Sequence, residues 1–277
     1  MTVFVLVAVW FLPEHQRLNK RLSLCAIIPV YNHPLYLDRV VEQLRSIGLP
    51  VLLIDDGSDQ TCGTLMDDLV MQANTLSGPA VYLDRHASNR GKGAAIKTGL
   101  STALKKGYSH ALQVDADGQH ALEDVPLFVA AMSAHPTALI AGYPRYDDSI
   151  PRHRYYGRYA SHIWVWINTL STTIIDSMCG FRIYPLAASI ELFRQAKIGN
   201  RMDFDGDFIV RWFWSNQPLQ QIETRVIYPD NGISHFDFLK DNLRITWMHT
   251  RLFFGMLRRL PRLFISRSIA KRDHDAG

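Results

Sequence analysis

Over residues 22–141 the chain alternates short apolar runs with segments whose apolar residues recur at helical spacing, and this alternation constrains the fold more than any other feature. A strand followed by a helix brings the chain back to the same end of a sheet, so repeated units of this kind build a parallel sheet covered by helices. Strands are expected at 24–30, 51–54, 80–83, 110–114 and 138–141. Pro34 opens a helix with Leu37, Val40, Val41, Leu44 and Ile47 along one face, and a second helix is expected from Lys92 to Lys105. Beyond Pro144 the pattern loosens to an aromatic helix over 155–170, a short strand at 181–184 and an apolar helix over 204–214.

The reading is one α/β domain over 22–235, followed by a basic, amphipathic helical tail over 236–277 that is interrupted at Pro261. Residues 1–21 are an apolar N-terminal extension. Its apolar run of about a dozen residues is too short to span a bilayer and lacks the basic start and small-residue cleavage site of a signal peptide. An interfacial anchor is the second reading of it. A formal charge of +4 is modest for a nucleic-acid binder, and no recognition motif accompanies it. Cys25, Cys62 and Cys179 lie far apart without metal-ligand spacing, which argues against zinc and against a disulfide framework and fits a reducing, cytoplasmic setting.

In open parallel sheets ligands sit outside the carboxyl ends of the strands. Each of the first four strands here ends in polar and turn-forming residues. Pro29, Tyr31 and Asn32 close the first; Asp55, Asp56 and Gly57 the second; Asn89, Arg90, Gly91, Lys92 and Gly93 follow the third; Asp115, Asp117, Gln119 and His120 follow the fourth. An isolated Asp-x-Asp is a common acidic turn. Four such ends in one place are better explained by one polar site. Tyr31 and Asn32 suit a nucleobase, Asp55 or Asp56 can accept from a ring N–H, and the 90–93 segment can offer N–H groups and cations to a diphosphate. Asp115 and Asp117, two apart on an extended segment, share a side and with Gln119 offer oxygen ligands to Mg2+ or Mn2+.

The order Ile-Pro-Val-Tyr-Asn, Asp-Asp-Gly-Ser, Asn-Arg-Gly-Lys-Gly and Asp-Ala-Asp-Gly-Gln-His resembles the inverting family 2 glycosyltransferases of the GT-A fold. Within that family it is most similar to the dolichol-phosphate mannosyltransferase and polyprenyl-phosphate glycosyltransferase branch, through 89–93, 115–119, Gly180-Phe181-Arg182, 204–207 and Gly232-Ile233-Ser234. The chain departs from that branch at Asp207, where Glu is usual, and at His235, where Lys is usual; it also lacks the transmembrane helices of many members.

The resemblance implies a GT-A, mostly parallel sheet, a UDP- or GDP-sugar donor and a divalent metal. It gives Pro29, Tyr31, Asn32, Asp55, Asp56, Gly57, Asn89, Gly91, Lys92 and Asp115 to the donor, and the metal to Asp115, Asp117 and Gln119. Two acceptors stay open. A lipid phosphate is already anionic, and Arg145, Arg158 and Arg182 are the cations expected to meet it. A hydroxyl acceptor needs a base, for which Asp207 is the first candidate and Asp205 the second. A non-catalytic nucleotide-sugar-binding protein is the remote alternative. The basic tail is expected to lie on an anionic membrane, placing the protein peripherally on the inner face of the cytoplasmic membrane. A sugar nucleotidyltransferase lacks its Gly-rich signature here, and a glycosidase leaves the nucleotide-type strand ends unexplained.

Overall fold

The computed structural model describes residues 22–145, 152–226 and 237–275, with the side chains of 152–160, 238 and 261–275 excepted. The extension over 1–21, the Gly232–Ser234 motif with His235, and the side chains of Arg158, Arg262 and Arg267 lie outside the described residues. In chain order the elements are β1 (Leu24–Val30), α1 (Leu37–Ser46), β2 (Val51–Asp55), α2 (Gln60–Thr75), β3 (Val81–Arg85), α3 (Lys92–Lys105), β4 (His110–Gln113), α4 (Val125–Ala134), β5 (Leu139–Arg145), α5 (Arg152–Thr169), β6 (Arg182–Pro185), α6 (Leu186–Gln195), α7 (Phe204–Trp214), β7 (Leu219–Arg225) and α8 (Phe238–Asp275).

The seven strands form one sheet in the order β3-β2-β1-β4-β6-β5-β7. Only β6 runs against its neighbours β4 and β5. This is the mostly parallel, helix-flanked sheet that the resemblance implies. The central strands are buried on both faces, as parallel strands under helices must be. Successive residues of β1 serve opposite layers. Ala26, Ile28 and Val30 pack with Leu37 and Leu44 of α1, Met66 of α2 and Phe128 of α4. Cys25 and Ile27 pack with Ile96 and Leu100 of α3, Phe204, Phe208 and Trp212 of α7, and Met248 and Leu252 of α8.

The sheet reverses its winding between β1 and β4, and there a proline opens it. Val114 N–H still bonds the Ile27 carbonyl. With Gln113 in register with Ile27, the next rung would need an N–H from residue 29. Pro29 has none, so β4 parts from β1 at the switch point where α/β sheets take their ligands.

Two features differ from expectation. β7 is an unanticipated strand: it pairs in parallel with β5 at the sheet edge, and backbone pairing there outweighs its polar sequence. α8 continues through Pro261 where a break is expected. A proline forfeits one hydrogen bond of the ladder and crowds the preceding turn, which a helix of 38 residues tolerates.

Candidate active site

The first two strand ends are tied into one frame. Asn32, held at a φ of 48°, donates its N–H to Ser58 Oγ at 3.1 Å and accepts from Asp59 N–H at 2.8 Å. Asp55 accepts from Ser58 N–H at 2.8 Å through Oδ1 and pairs with Arg85 Nε at 3.1 Å through Oδ2. Gly57, between them, has a φ of 75°. Tyr31 is half-buried beside this frame.

Asp56 has a different task. Buried to 2% exposure, it accepts from the N–H groups of Arg90 at 2.9 Å and Gly91 at 2.7 Å and meets His86 Nδ1 at 2.6 Å. One carboxylate thus fixes the whole loop that leads into α3. Gly91 begins that helix at a φ of 101°, and a Cβ there would sit 2.4 Å from Arg201 Cγ. Arg201 Nη1 in turn donates to Asn89 Oδ1 at 2.8 Å.

Where the third and fourth strand ends meet, Lys92 Nζ lies 2.8 Å from Asp115 Oδ2 and 3.4 Å from Asp205 Oδ2. Burial alone would lower the pKa of the Lys92 amine, but Asp115 and Asp205 outweigh it and raise the value, so the ammonium persists. Burial acts on Asp115 in the opposite sense, raising its pKa, but the charge of Lys92 outweighs it and holds the carboxyl at about 2. Asp117 Oδ1 accepts from Gln119 N–H at 3.0 Å, closing a tight turn through Gly118. Asp205 Oδ1 is buried without a hydrogen-bond partner.

Among the described residues no three His, Cys, Asp or Glu side chains gather as a metal cage. The donor set still suits a hard divalent ion of the kind that takes one or two carboxylates and completes its shell with substrate phosphates and water. Asp117 is half-buried at the same strand end. Asp115 already accepts from Lys92, and Gln119 contributes its backbone N–H to the turn.

The structure brings Lys92, Asp115, Asp117 and Asp205 to one crevice and leaves several expected residues elsewhere. Asp207 is fully buried between Arg211 Nε at 2.6 Å, Arg251 Nη2 at 3.0 Å and Gly199 N–H at 3.0 Å. A carboxylate so paired anchors helices and is not placed to take a proton from an acceptor. Arg182 is also fully buried, its guanidinium donating to the carbonyls of Cys179, Asp205 and Ser177 at 2.8 to 2.9 Å. It supports the crevice from beneath instead of facing an acceptor. Arg145 is exposed at the end of β5, 3.7 Å from Glu223. His86, Arg201 and Gly180 join the site without a sequence signal for that role, although Gly180 stands in the Gly-Phe-Arg motif.

Residues 25–196 match the family model described as Glycosyl transferase family 2. The polyprenol monophosphomannose synthase of Mycolicibacterium smegmatis is 35% identical over 113 residues, 39% of this chain and 40% of that protein. The UDP-N-acetylglucosamine–dolichyl-phosphate N-acetylglucosaminyltransferase of Methanococcus voltae is 33% identical over 107 residues, 36% of this chain and 43% of that protein. The chain therefore matches about two-fifths of the length of each of these relatives. Among solved structures, glucosyl-3-phosphoglycerate synthase from Mycobacterium tuberculosis, in complex with Mn2+, UDP-glucose and phosphoglyceric acid, superposes with a TM-score of 0.61. That likeness, at 11% identity over 85% of this chain and 80% of the other, is one of fold.

Proposed function

Because this chain belongs to glycosyl transferase family 2, we propose that it moves a sugar, with inversion, from a nucleotide-diphospho-sugar to a lipid phosphate. The observation that carries the reading is the Lys92, Asp115 and Asp205 cluster beside Asp117, at the point where Pro29 opens the sheet. The frame of Tyr31, Asn32 and Asp55 receives the base of a UDP- or GDP-sugar. The N–H groups of Arg90 and Gly91 are held by Asp56 and that of Ala94 by the Gly91 and Asn200 carbonyls, so the start of α3 meets the diphosphate chiefly through its helix dipole, which favours negative charge. Asp117, with Asp115 beside it, would hold Mg2+ or Mn2+ there, and such an ion stabilises charge developing on a leaving diphosphate. Lys92 supplies a fixed cation at the same corner, oriented by two carboxylates before the donor arrives.

An acceptor phosphate is already ionised and needs no base. That suits a crevice whose expected base, Asp207, is held by two arginines, and it agrees with the lipid-phosphate activities named for the two relatives. A second reading, transfer to a hydroxyl, would use Asp205, whose Oδ2 faces Lys92 at 3.4 Å and whose buried Oδ1 makes no hydrogen bond and lies 3.9 Å from Arg182 Nη1.

No described helix is long and apolar enough to cross a membrane. Contact with the lipid is proposed to run through α8, where Leu239, Leu243, Trp247, Phe254 and Leu257 are exposed at spacings that put them on one face. Lys240, Arg244 and Arg258 lie among them, the composition of a helix that rests on an anionic surface. The proposed location is the inner face of the cytoplasmic membrane.

The test is a thermal-shift and donor-consumption screen with UDP-, GDP- and dTDP-sugars, with and without Mn2+, in the presence of a polyprenyl phosphate in detergent. Stabilisation by one nucleotide class and lipid-dependent consumption of its sugar are expected. No stabilisation by any nucleotide-sugar would sink the reading.

A further inference from the structure

One buried pair outside the strand ends bears on the donor corner. Asp176, 2% exposed, lies in the connection between α5 and β6. Its Oδ1 accepts from Met178 N–H at 2.8 Å and Cys179 N–H at 2.7 Å, so it closes the turn that carries residues 178–180. Its Oδ2 meets His162 Nε2 of α5 at 3.3 Å. His162 Nδ1 is buried with no hydrogen-bond partner.

The turn held in this way ends on Gly180. A Cβ there would fall 2.6 Å from Gln113 Nε2, 3.0 Å from Asp115 Oδ2 and 3.1 Å from Lys92 Nζ. The backbone of residue 180 is therefore the wall against which the Lys92–Asp115 pair rests. From the other side Arg182 fixes the same turn through the carbonyls of Ser177 and Cys179, and it reaches Asp205 O as well. Neither His162 nor Asp176 touches the crevice. Their reach into it is through the place they give to Gly180.

We propose that His162 and Asp176 are positioning residues for the donor corner: the imidazole orients the carboxylate, the carboxylate sets the 178–180 turn, and the turn sets Lys92 against Asp115. The proposal rests on the glycosyltransferase reading above, and its test separates the two.

Three variants of the full chain are compared with wild type: His162→Leu, His162→Gln and Val165→Ala. Leucine removes the imidazole nitrogen that faces Asp176 Oδ2. Glutamine returns a polar group at similar reach. Val165 is a fully buried neighbour on the same helix, so its truncation reports loss of packing without loss of the His162–Asp176 contact. Each is assayed below its melting temperature for nucleotide-sugar affinity, for KM of donor and acceptor, and for amide exchange over residues 176–182. His162→Leu is expected to weaken donor affinity and raise donor KM by about tenfold, the order of one lost polar contact, with acceptor KM within about twofold and faster exchange at 178 and 179. His162→Gln is expected to recover most of the donor affinity, and Val165→Ala to retain all of it. Gly180→Ala, which acts on the wall directly, should reproduce the donor defect with the His162–Asp176 pair intact.

A donor affinity unchanged in His162→Leu, or lowered equally in Val165→Ala, overturns the proposal while the glycosyltransferase reading stands. A wild-type chain that binds no nucleotide-sugar overturns both.

Discussion

Arg251 of α8 places Nη2 3.0 Å from Oδ2 of Asp207 on α7, and Arg211 takes the other oxygen of that carboxylate at 2.6 Å. The C-terminal helix is thus fastened to the domain by a charge that has no solvent to fall back on. Removing one partner of a buried pair leaves the other uncompensated, which costs about 3–5 kcal/mol when both are deeply buried. Arg251 is partly exposed and Arg211 remains, so Arg251→Met is expected to cost about 2 kcal/mol by urea unfolding, less than that range for a deeply buried pair. Asp207→Asn, which strands two arginines, should cost more, and below its melting temperature it should still bind the nucleotide-sugar.

α8 also carries a pH response. His249 is buried between Ser161 Oγ at 3.1 Å and Asn168 Nδ2 at 3.3 Å, both on α5. Burial pushes its imidazole down to about 4, against a smaller upward pull from Asp207. The folded state binds fewer protons than the unfolded chain between about pH 6.5 and 4. Stability contributed by the neutral ring is therefore full above about 6.5 and is lost as pH falls through that window, by about 3 kcal/mol in all. Asp115, held at about 2, has the same sign in a lower window: its contribution is present above about 4 and is lost as pH falls towards 2. Melting curves from pH 7.5 to 4.5 should show a decline that His249→Gln flattens. A variant with the wild-type slope would refute the assignment.

Asp117 is the carboxylate expected to meet the metal. Asp117→Asn should lower turnover at least about a hundredfold, as loss of a principal electrostatic stabiliser does, and should erase any difference between donor binding with and without Mn2+. Calorimetric titration of donor in each condition checks it. A Mn2+-dependent affinity surviving in the variant would move the ion elsewhere.

Asp205 decides the acceptor. If the acceptor is a phosphate, Asp205→Asn keeps a neutral partner near Lys92 and should hold turnover within about tenfold of wild type; if it is a hydroxyl, loss of the base should cost about 100-fold or more. Turnover at saturating donor with a polyprenyl phosphate and with its dephosphorylated alcohol separates these outcomes.

The exposed stripe of α8 predicts a salt-sensitive membrane contact. Trp247→Glu with Leu243→Glu should lower partition onto vesicles containing anionic lipid by roughly tenfold or more, since both apolar area and charge complementarity are lost. Sedimentation with vesicles reads it. Donor binding in the same variant should match wild type, because neither residue lines the crevice.

The shared crevice is legible in the sequence for a geometric reason. Parallel strands end together, so four apolar runs followed by polar turns announce a shared crevice before any coordinate is known, and α3 and α7 begin and end where their patterns place them. Asp205 and Asp207 are not legible in the same way. Two residues apart on an extended segment they would share a side, but on a helix they diverge, and no pattern says which of them faces inward. The structure turns Asp205 to Lys92 and Asp207 to Arg251. β7 escapes notice because its Leu-Gln-Gln-Ile-Glu-Thr-Arg sequence buries little beyond Thr224, its order coming from pairing with β5. Arg182 reads as a surface cation because sequence cannot count the carbonyls waiting beneath it.

The strand that runs backwards sets a division of labour. At β1, β2 and β4 the chain leaves the sheet into the crevice, but at β6 it arrives from it, with Arg182 alongside Gln113. One wall is therefore built from departing loops and the other from an incoming one fed by α5. Because Gly180 of the incoming wall abuts Gln113, Asp115 and Lys92 of the departing one, a change to either wall is transmitted to the other across a gap that has no room for a single methyl group.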